Sequence, residues 1–329
     1  MKLGIGTRWS RSLFKKEMKQ VKTRKPRGNR PYAAWVPWAF LMPHLLVFAC
    51  FNIFPILTGV FASFTKWTLG KMPIWVGWEN FRNLLANNQS MYYWQLRWGL
   101  RNTVVFVLLC VPLRILIPLA LALALNTRCR GHRTLQALYY LPALMSLSVV
   151  MVSWKYMFDP GVGVINNLLG IGKIQWFNAE PWNWIAIVFI TAWWGTGGNM
   201  LIYQSALAGI SRDVLDAAEV DGAGAWQKTI RVMIPSIRFP LQYTIITSVI
   251  AEFGIWGQPD MFNGGGPVMA MVNGFPRKSN MMILQYIADS GFGSSGVNAG
   301  IASGMALILG ILIFVVSLIQ FRVMRRNAD

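Results

Sequence analysis

The sequence predicts an all-α fold, a polytopic transmembrane helical bundle with six spans. Three observations carry this reading. Of the 329 residues, 54% are hydrophobic and only 13% are charged. Apolar runs of about 20 residues recur, the length a helix needs to cross a hydrocarbon core of ~30 Å. The 31 lysines and arginines bracket these runs and do not form one stripe, so the net charge of +19 reads as a topology signal and not as a nucleic-acid surface.

Taken in order, residues 1–31 hold eleven Lys/Arg and one acid, Glu17, with no apolar core. They read as a basic cytoplasmic tail attracted to anionic lipid and not as a cleaved signal. Residues 32–329 read as one transmembrane domain. Spans are predicted at 33–63, 103–126, 135–157, 183–208, 237–257 and 297–321. Pro37, Pro43 and Pro55 predict a bend in the first. With the N-terminus inside, the inner segments hold 21 basic residues and the outer ones nine, and Arg114 lies within a span. This bias places both termini, and the loop 210–235, on the cytoplasmic side. On the outer side, residues 75–85 read as a short surface helix with aromatic anchors. Residues 158–170 read as a turn and a small helical turn, and residues 261–267 as a rigid bend. The apolar stretch 280–292 that follows is expected to dip into the outer leaflet.

Several chemistries are disfavoured. Cys50, Cys110 and Cys129 have no paired spacing, and His44 and His132 lie far apart, so neither a metal site nor a catalytic constellation is expected. Gly291, Gly293 and Gly296 spell GxGxxG but lack the strand and later acid of a dinucleotide site. The ladder Gly296, Gly300, Gly304 instead predicts close approach by another helix. No Gly-Lys-Ser/Thr follows Gly70, Gly131 or Gly172, so any ATP must be bound by a separate subunit.

Between two apolar runs lies a polar, charged segment, residues 210–235. Ser211 is placed to cap a helix and Asp213 suits its positive end. Val214, Leu215, Ala217 and Ala218 form one face, with Arg212, Asp216 and Glu219 on the other. Gly222 predicts a sharp turn. A second amphipathic arm follows with Trp226, Ile230 and Met233, and Pro235 is expected to stop it. Each arm is about 15 Å long at ~1.5 Å per residue. By itself this segment also fits an amphipathic loop lying on the membrane surface.

The run LDAAEVDGAGAWQKTIRVMIP resembles the cytoplasmic coupling loop of ABC-importer permeases. Asp216, Ala217 and Ala218 stand for that loop's Glu-Ala-Ala, with Asp in place of Glu, and Gly222 is its glycine. The three outer stretches, together with RTLQALYYLPAL at 133–144, resemble the carbohydrate-uptake branch of that family. That branch handles disaccharides, oligosaccharides and glycerol-3-phosphate. The resemblance runs from about Ala39 to Arg322, and NGFPRKSN at 273–280 departs from it as an insertion. It implies the architecture of a type I importer permease, and a permease subunit of an ATP-driven, binding-protein-dependent importer of a sugar or oligosaccharide. Such a chain is no enzyme and holds no cofactor. Implied partners are a second permease subunit in a heterodimer, two ATPase subunits, an extracytoplasmic solute-binding protein, the sugar and membrane lipid. The implied location is the bacterial inner membrane. Arg212, Asp216, Ala217, Ala218, Asp221 and Gly222 are then the residues expected to engage the ATPase. A secondary transporter is the alternative, but it calls for internal repeats and broken helices around an ion site. A membrane-embedded enzyme calls for a cluster of His, Asp or Cys.

Arg114 and Glu252 fall inside spans, where a charge faces a cavity or a partner. Two readings stand side by side, a polar translocation path and an interhelical ion pair. Asn199, Tyr203 and Gln204, with Gln242, Tyr243 and Thr247, add hydrogen-bonding groups. Trp193 and Trp194 add flat faces of the kind that stack on sugar rings. The substrate path is therefore expected among Arg114, Trp193, Asn199, Tyr203, Gln204, Gln242, Tyr243 and Glu252.

Overall fold

Apolar patterning becomes helix over most of the chain in a computed structural model that describes residues 35–68, 70–126, 131–170, 174–293 and 298–326. The basic tail 1–31, Cys129, Gly172 and Gly296 lie outside the described residues. The chain divides into two units at Thr58 and Gly59.

The first helix, α1, runs Val36–Ser63. Pro43 sits inside it and a π-helical turn, Ala49–Ile53, widens it. The π-helical turn stands just before Pro55 and accommodates the hydrogen bond that this proline cannot make. A two-stranded hairpin follows, β1 (Thr65–Lys66) and β2 (Ile74–Trp75), then α2 (Glu79–Leu85). The long α3 (Met91–Asn126) contains Pro112 and Pro118. Next come α4 (His132–Leu144), α5 (Leu147–Met157), α6 (Val164–Leu169) and α7 (Trp182–Ala208). The charged segment forms α8 (Arg212–Val220) and α9 (Ala225–Lys228), with a π-helical turn, Thr229–Met233, leading into α10 (Ile234–Ser236). The remainder is α11 (Arg238–Phe253), α12 (Gly257–Asn263), the hairpin β3 (Val268–Val272) and β4 (Phe275–Lys278), α13 (Ile283–Phe292) and α14 (Ala299–Arg326).

In the unit beginning at Gly59, α3 packs along α7 and also against α11 and α13. One core cluster joins α3, α11, α13 and α14 through Val107, Val249, Ile283 and Met305. A second joins α3 and α7 to Ile237 through Ala122, Met200 and Tyr203. Four expectations change. Among the described residues, four helices are long and apolar enough to cross a membrane, or five if α4 and α5 count as one broken span. The predicted span 135–157 is bent by 101°. Ser146 caps α5 there, and the Trp194 indole donates to the Met145 carbonyl freed at the break. The predicted span 237–257 keeps 16 residues as α11, about 24 Å at ~1.5 Å per residue, because the helix ends at Gly254. The predicted start at 103 is late, by a different cause. Helix α3 begins at Met91, since Gln95, Leu96 and Trp98 are buried although their stretch is not continuously apolar.

The fold is helical but not purely so. The insertion at 273–280 is half of a β-hairpin whose turn is Asn273-Gly274, with φ of 51° and 80° and Val272 paired to Phe275. Asn-Gly is the sequence that accepts two positive-φ residues in a two-residue turn. The glycine ladder meets the expected helix at Gly304 and a strand at Gly300. A Cβ at Gly300 would strike the Thr65 carbonyl of β1, and one at Gly304 would press on Leu84 of α2.

Candidate functional site

Two regions gather the residues singled out by the sequence. The first is the charged knob. Ser211 Oγ accepts the Asp213 amide at 3.2 Å and starts α8. The helix ends as the Ala223 amide donates to the Ala218 carbonyl and the Gly222 amide to that of Glu219. Gly222 has φ of +79° and nothing within 4 Å of the position its Cβ would occupy. Its requirement is therefore conformational, the left-handed backbone at a helix C-terminus, and not one of space. Beyond the turn, Gln227 Oε1 accepts the Gly224 amide at 3.1 Å. Lys228 of α9 reaches back across the turn to an ion pair with Glu219 of α8, a link between arms that the sequence reading missed. Only the turn brings residues nine apart into reach. Leu215 and Ala218 are half-buried, while Arg212, Asp216, Ala217 and Asp221 are exposed. So is much of the apolar surface: Val220 is 88% and Trp226 75% exposed. Pro235 does not stop the second arm. It lies in the first turn of α10, where its missing N–H costs no bond, and the π-helical turn before it takes up the misfit.

The second region is a polar seam between α3, α7 and α11. Arg114 and Glu252 form an ion pair across α3 and α11, with Glu252 1% exposed. Asn199 of α7 donates to the Arg114 carbonyl at 2.8 Å and to Ser248 Oγ at 3.4 Å. One turn on, Tyr203 and Thr244 share a hydrogen bond of 2.5 Å, and neither is exposed. A Cβ at Gly195 would collide with the Arg114 guanidinium, so this glycine lets the arginine lie flat on α7. Desolvation makes an isolated buried charge costly, and the seam supplies each charge with the other.

The remaining residues lie elsewhere. Trp193, with Trp184 and Phe189, lines an apolar cavity of about 750 Å³ between α3, α4 and α7. Trp193 also meets Trp154 edge to face at 5.2 Å. Gln204 and Gln242 each keep a buried carbonyl oxygen without a protein partner among the described residues. Gln242 borders a separate cavity of about 320 Å³ with Ile319 and Gln320, and Tyr243 is 58% exposed. Arg114, Asn199, Tyr203 and Glu252 are thus brought together. Trp193, Gln242 and Tyr243 are not joined to them by any contact described here.

Outside the long helices, Asp159 organises the turn before α6. Its carboxylate accepts the amides of Gly161 at 2.8 Å and Val162 at 2.9 Å. These two backbone donors hold its pKa below the usual carboxylate value.

Comparison with known proteins adds the following. Residues 84–328 match the family described as binding-protein-dependent transport system inner membrane component. A probable ABC transporter permease protein, YesP, of Bacillus subtilis strain 168 is 29% identical over 290 residues, 87% of this chain and 89% of that protein. The sn-glycerol-3-phosphate transport system permease protein UgpA of Pectobacterium atrosepticum is 28% identical over 309 residues, 92% and 99% of the two chains. The lactose transport system permease protein LacF of Rhizobium radiobacter is 29% identical over 296 residues, 88% and 94%. The fold resembles a chain of a bacterial alginate ABC transporter crystallised with an alginate pentasaccharide-bound periplasmic protein. The TM-score is 0.74 at 19% identity, over 90% of this chain and 96% of that one.

Proposed function

The chain belongs to the family of binding-protein-dependent transport system inner membrane components, and from that premise we propose how it works and what it carries. It is a transport subunit and not an enzyme. We infer that it imports a sugar or oligosaccharide, as relatives named for lactose and glycerol-3-phosphate transport support. Its residues 32–329 form the permease domain in the bacterial inner membrane. Both termini and the knob at 210–235 lie in the cytoplasm, with the basic residues 1–31 along the inner lipid surface. Its partners are a second permease subunit, two ATPase subunits that bind the ATP, and an external solute-binding protein.

The observation that carries the mechanism is the knob. Arms α8 and α9 are joined by the Gly222 turn and linked across it by the Glu219–Lys228 pair. The apolar side chains Val220 and Trp226 stand exposed. A rigid, amphipathic projection with uncovered apolar groups suits docking into a cleft on an ATPase subunit. Arg212, Asp216 and Asp221 form the charged rim of that contact, and Ala217 and Ala218 permit close approach. When ATP draws the ATPases together, the knobs move with them and the path rocks from inward-open to outward-open. The path runs past the polar seam of Arg114, Asn199, Tyr203 and Glu252 and the cavity at Trp193, with Gln204, Gln242 and Tyr243 as further polar groups along it.

Gly222→Leu tests the docking role. Leucine at φ near +79° carries a strain of about 1–2 kcal/mol. The variant is expected to insert normally, to lose the co-purifying ATPase and to lose uptake. Full uptake by a stably expressed variant contradicts the role given to the knob.

A further inference from the structure

A cavity of about 300 Å³ lies at the Arg101 end of the apolar one, lined by Arg101, Asn102, Glu180, Trp184, Arg277 and Ser279. It shares Leu109, Pro181 and Trp184 with the 750 Å³ cavity, so a smaller chamber, with charged residues set among apolar ones such as Val105, adjoins a larger, mainly apolar one. We propose that this smaller chamber receives the anionic group, a carboxylate or a phosphate, of a charged saccharide. This rests on the reading that the chain lines a sugar path, and names the class of sugar.

The charge balance of the chamber carries the inference. Two arginines, Arg101 and Arg277, line it against a single acidic residue, Glu180. Among the described residues, neither Arg101 nor Arg277 has an acidic group within ion-pair distance. Glu180, the carboxylate present, already accepts a hydrogen bond from Ser279 Oγ at 2.7 Å. Asn183 donates to that same hydroxyl at 2.7 Å, and Asn102 donates to the Ser279 carbonyl at 3.2 Å. The wall is thereby tied to α3, to α7 and to the end of the β3–β4 hairpin. Register in that hairpin is set by the Asn273-Gly274 turn, which fixes where Arg277 stands. Two like charges bordering one small chamber repel, and an anion between them removes that repulsion. Guanidinium is also the side chain whose planar fork matches both carboxylate and phosphate oxygens. Trp184, common to both cavities, offers a face for the sugar ring beside the charge.

The test uses the whole transporter, this chain with its permease, ATPase and binding-protein partners in proteoliposomes, and three labelled disaccharides. Digalacturonate carries carboxylates, trehalose 6-phosphate carries a phosphate, and cellobiose is neutral. ATP-dependent uptake of one of the charged sugars over cellobiose is expected, and which one it is identifies the anion. Loss of a charge-assisted contact is expected to lower that uptake about tenfold or more in Arg101→Gln and in Arg277→Gln, with a smaller fall in Arg101→Lys and Arg277→Lys, which keep the charge but lose the fork. Uptake of cellobiose alone overturns the proposal and leaves the importer reading standing. An equal fall for every sugar the protein carries, or a loss in the lysine variants as deep as in the glutamine ones, assigns the arginines to folding or docking and also overturns it. Uptake of none, with ATPase turnover that no sugar stimulates, overturns the importer reading as well.

Discussion

Arg114 of α3 and Glu252 of α11 neutralise one another in an ion pair between the two helices. Glutamine at either position strands the other charge in the interior, a change that costs ~3–5 kcal/mol in soluble proteins. Arg114→Gln and Glu252→Gln are therefore each expected to lower the amount of folded, assembled protein. The double variant is expected to fall less than the sum of the two, as contacting residues do. Thermal unfolding of the purified variants in detergent checks this, and strict additivity contradicts a shared contact. Asp159 acts on a smaller scale. Its folded pKa is depressed, so its contribution to the turn is present above the ordinary carboxylate value of ~3.9 and is lost as pH falls through the lower folded value. Lower amide protection, relative to the intrinsic exchange rate at the same pH, is expected at Gly161 and Val162 in Asp159→Ala at neutral pH, and in the native chain only at strongly acid pH. Unchanged exchange in the variant contradicts the carboxylate's hold on those amides.

Helices were legible wherever apolar length or a cap gave them away. Ser211, Asp213 and Gly222 bounded α8 because side-chain capping and a left-handed glycine are local chemistry. Long-range packing was not legible. Gln95, Leu96 and Trp98 extend α3 because they are buried against other parts of the chain, and Gly99 admits the Ile283 backbone of α13. The break between α4 and α5 depends on a Trp194 indole that comes from another helix. The β3–β4 hairpin was written in the sequence, in an Asn-Gly pair beside the β-branched and aromatic residues Val272 and Phe275, but a helical membrane context hid it. In the seam, Arg114, Asn199, Tyr203 and Glu252 were found by their polarity. Ser248 and Thr244, their partners, went unnoticed because serine and threonine in a helix usually bond to their own backbone. The knob supplies the test at this scale. A cysteine at Gln227 is expected to react with an impermeant thiol reagent only after the membrane is opened, and labelling in intact cells contradicts a cytoplasmic knob.

Across the whole molecule, apolar helices long enough to span a bilayer combine with one polar projection and no nucleotide-binding sequence. The proposed division of labour separates the path from its energy source: this chain forms the path, and a partner hydrolyses ATP. The bias of 21 to nine basic residues, counted over the six spans the sequence predicts, supports the proposed orientation with knob and ATPase on the same side. The competing account is a secondary transporter driven by an ion gradient, in which the Arg114–Glu252 seam would serve the coupling ion. Uptake of labelled saccharide into proteoliposomes, containing this chain with its partners, separates the two most directly. Energisation by ATP predicts uptake that requires ATP and the binding protein and continues when ionophores collapse every ion gradient. Uptake that proceeds without ATP and stops with the ionophores would contradict the account.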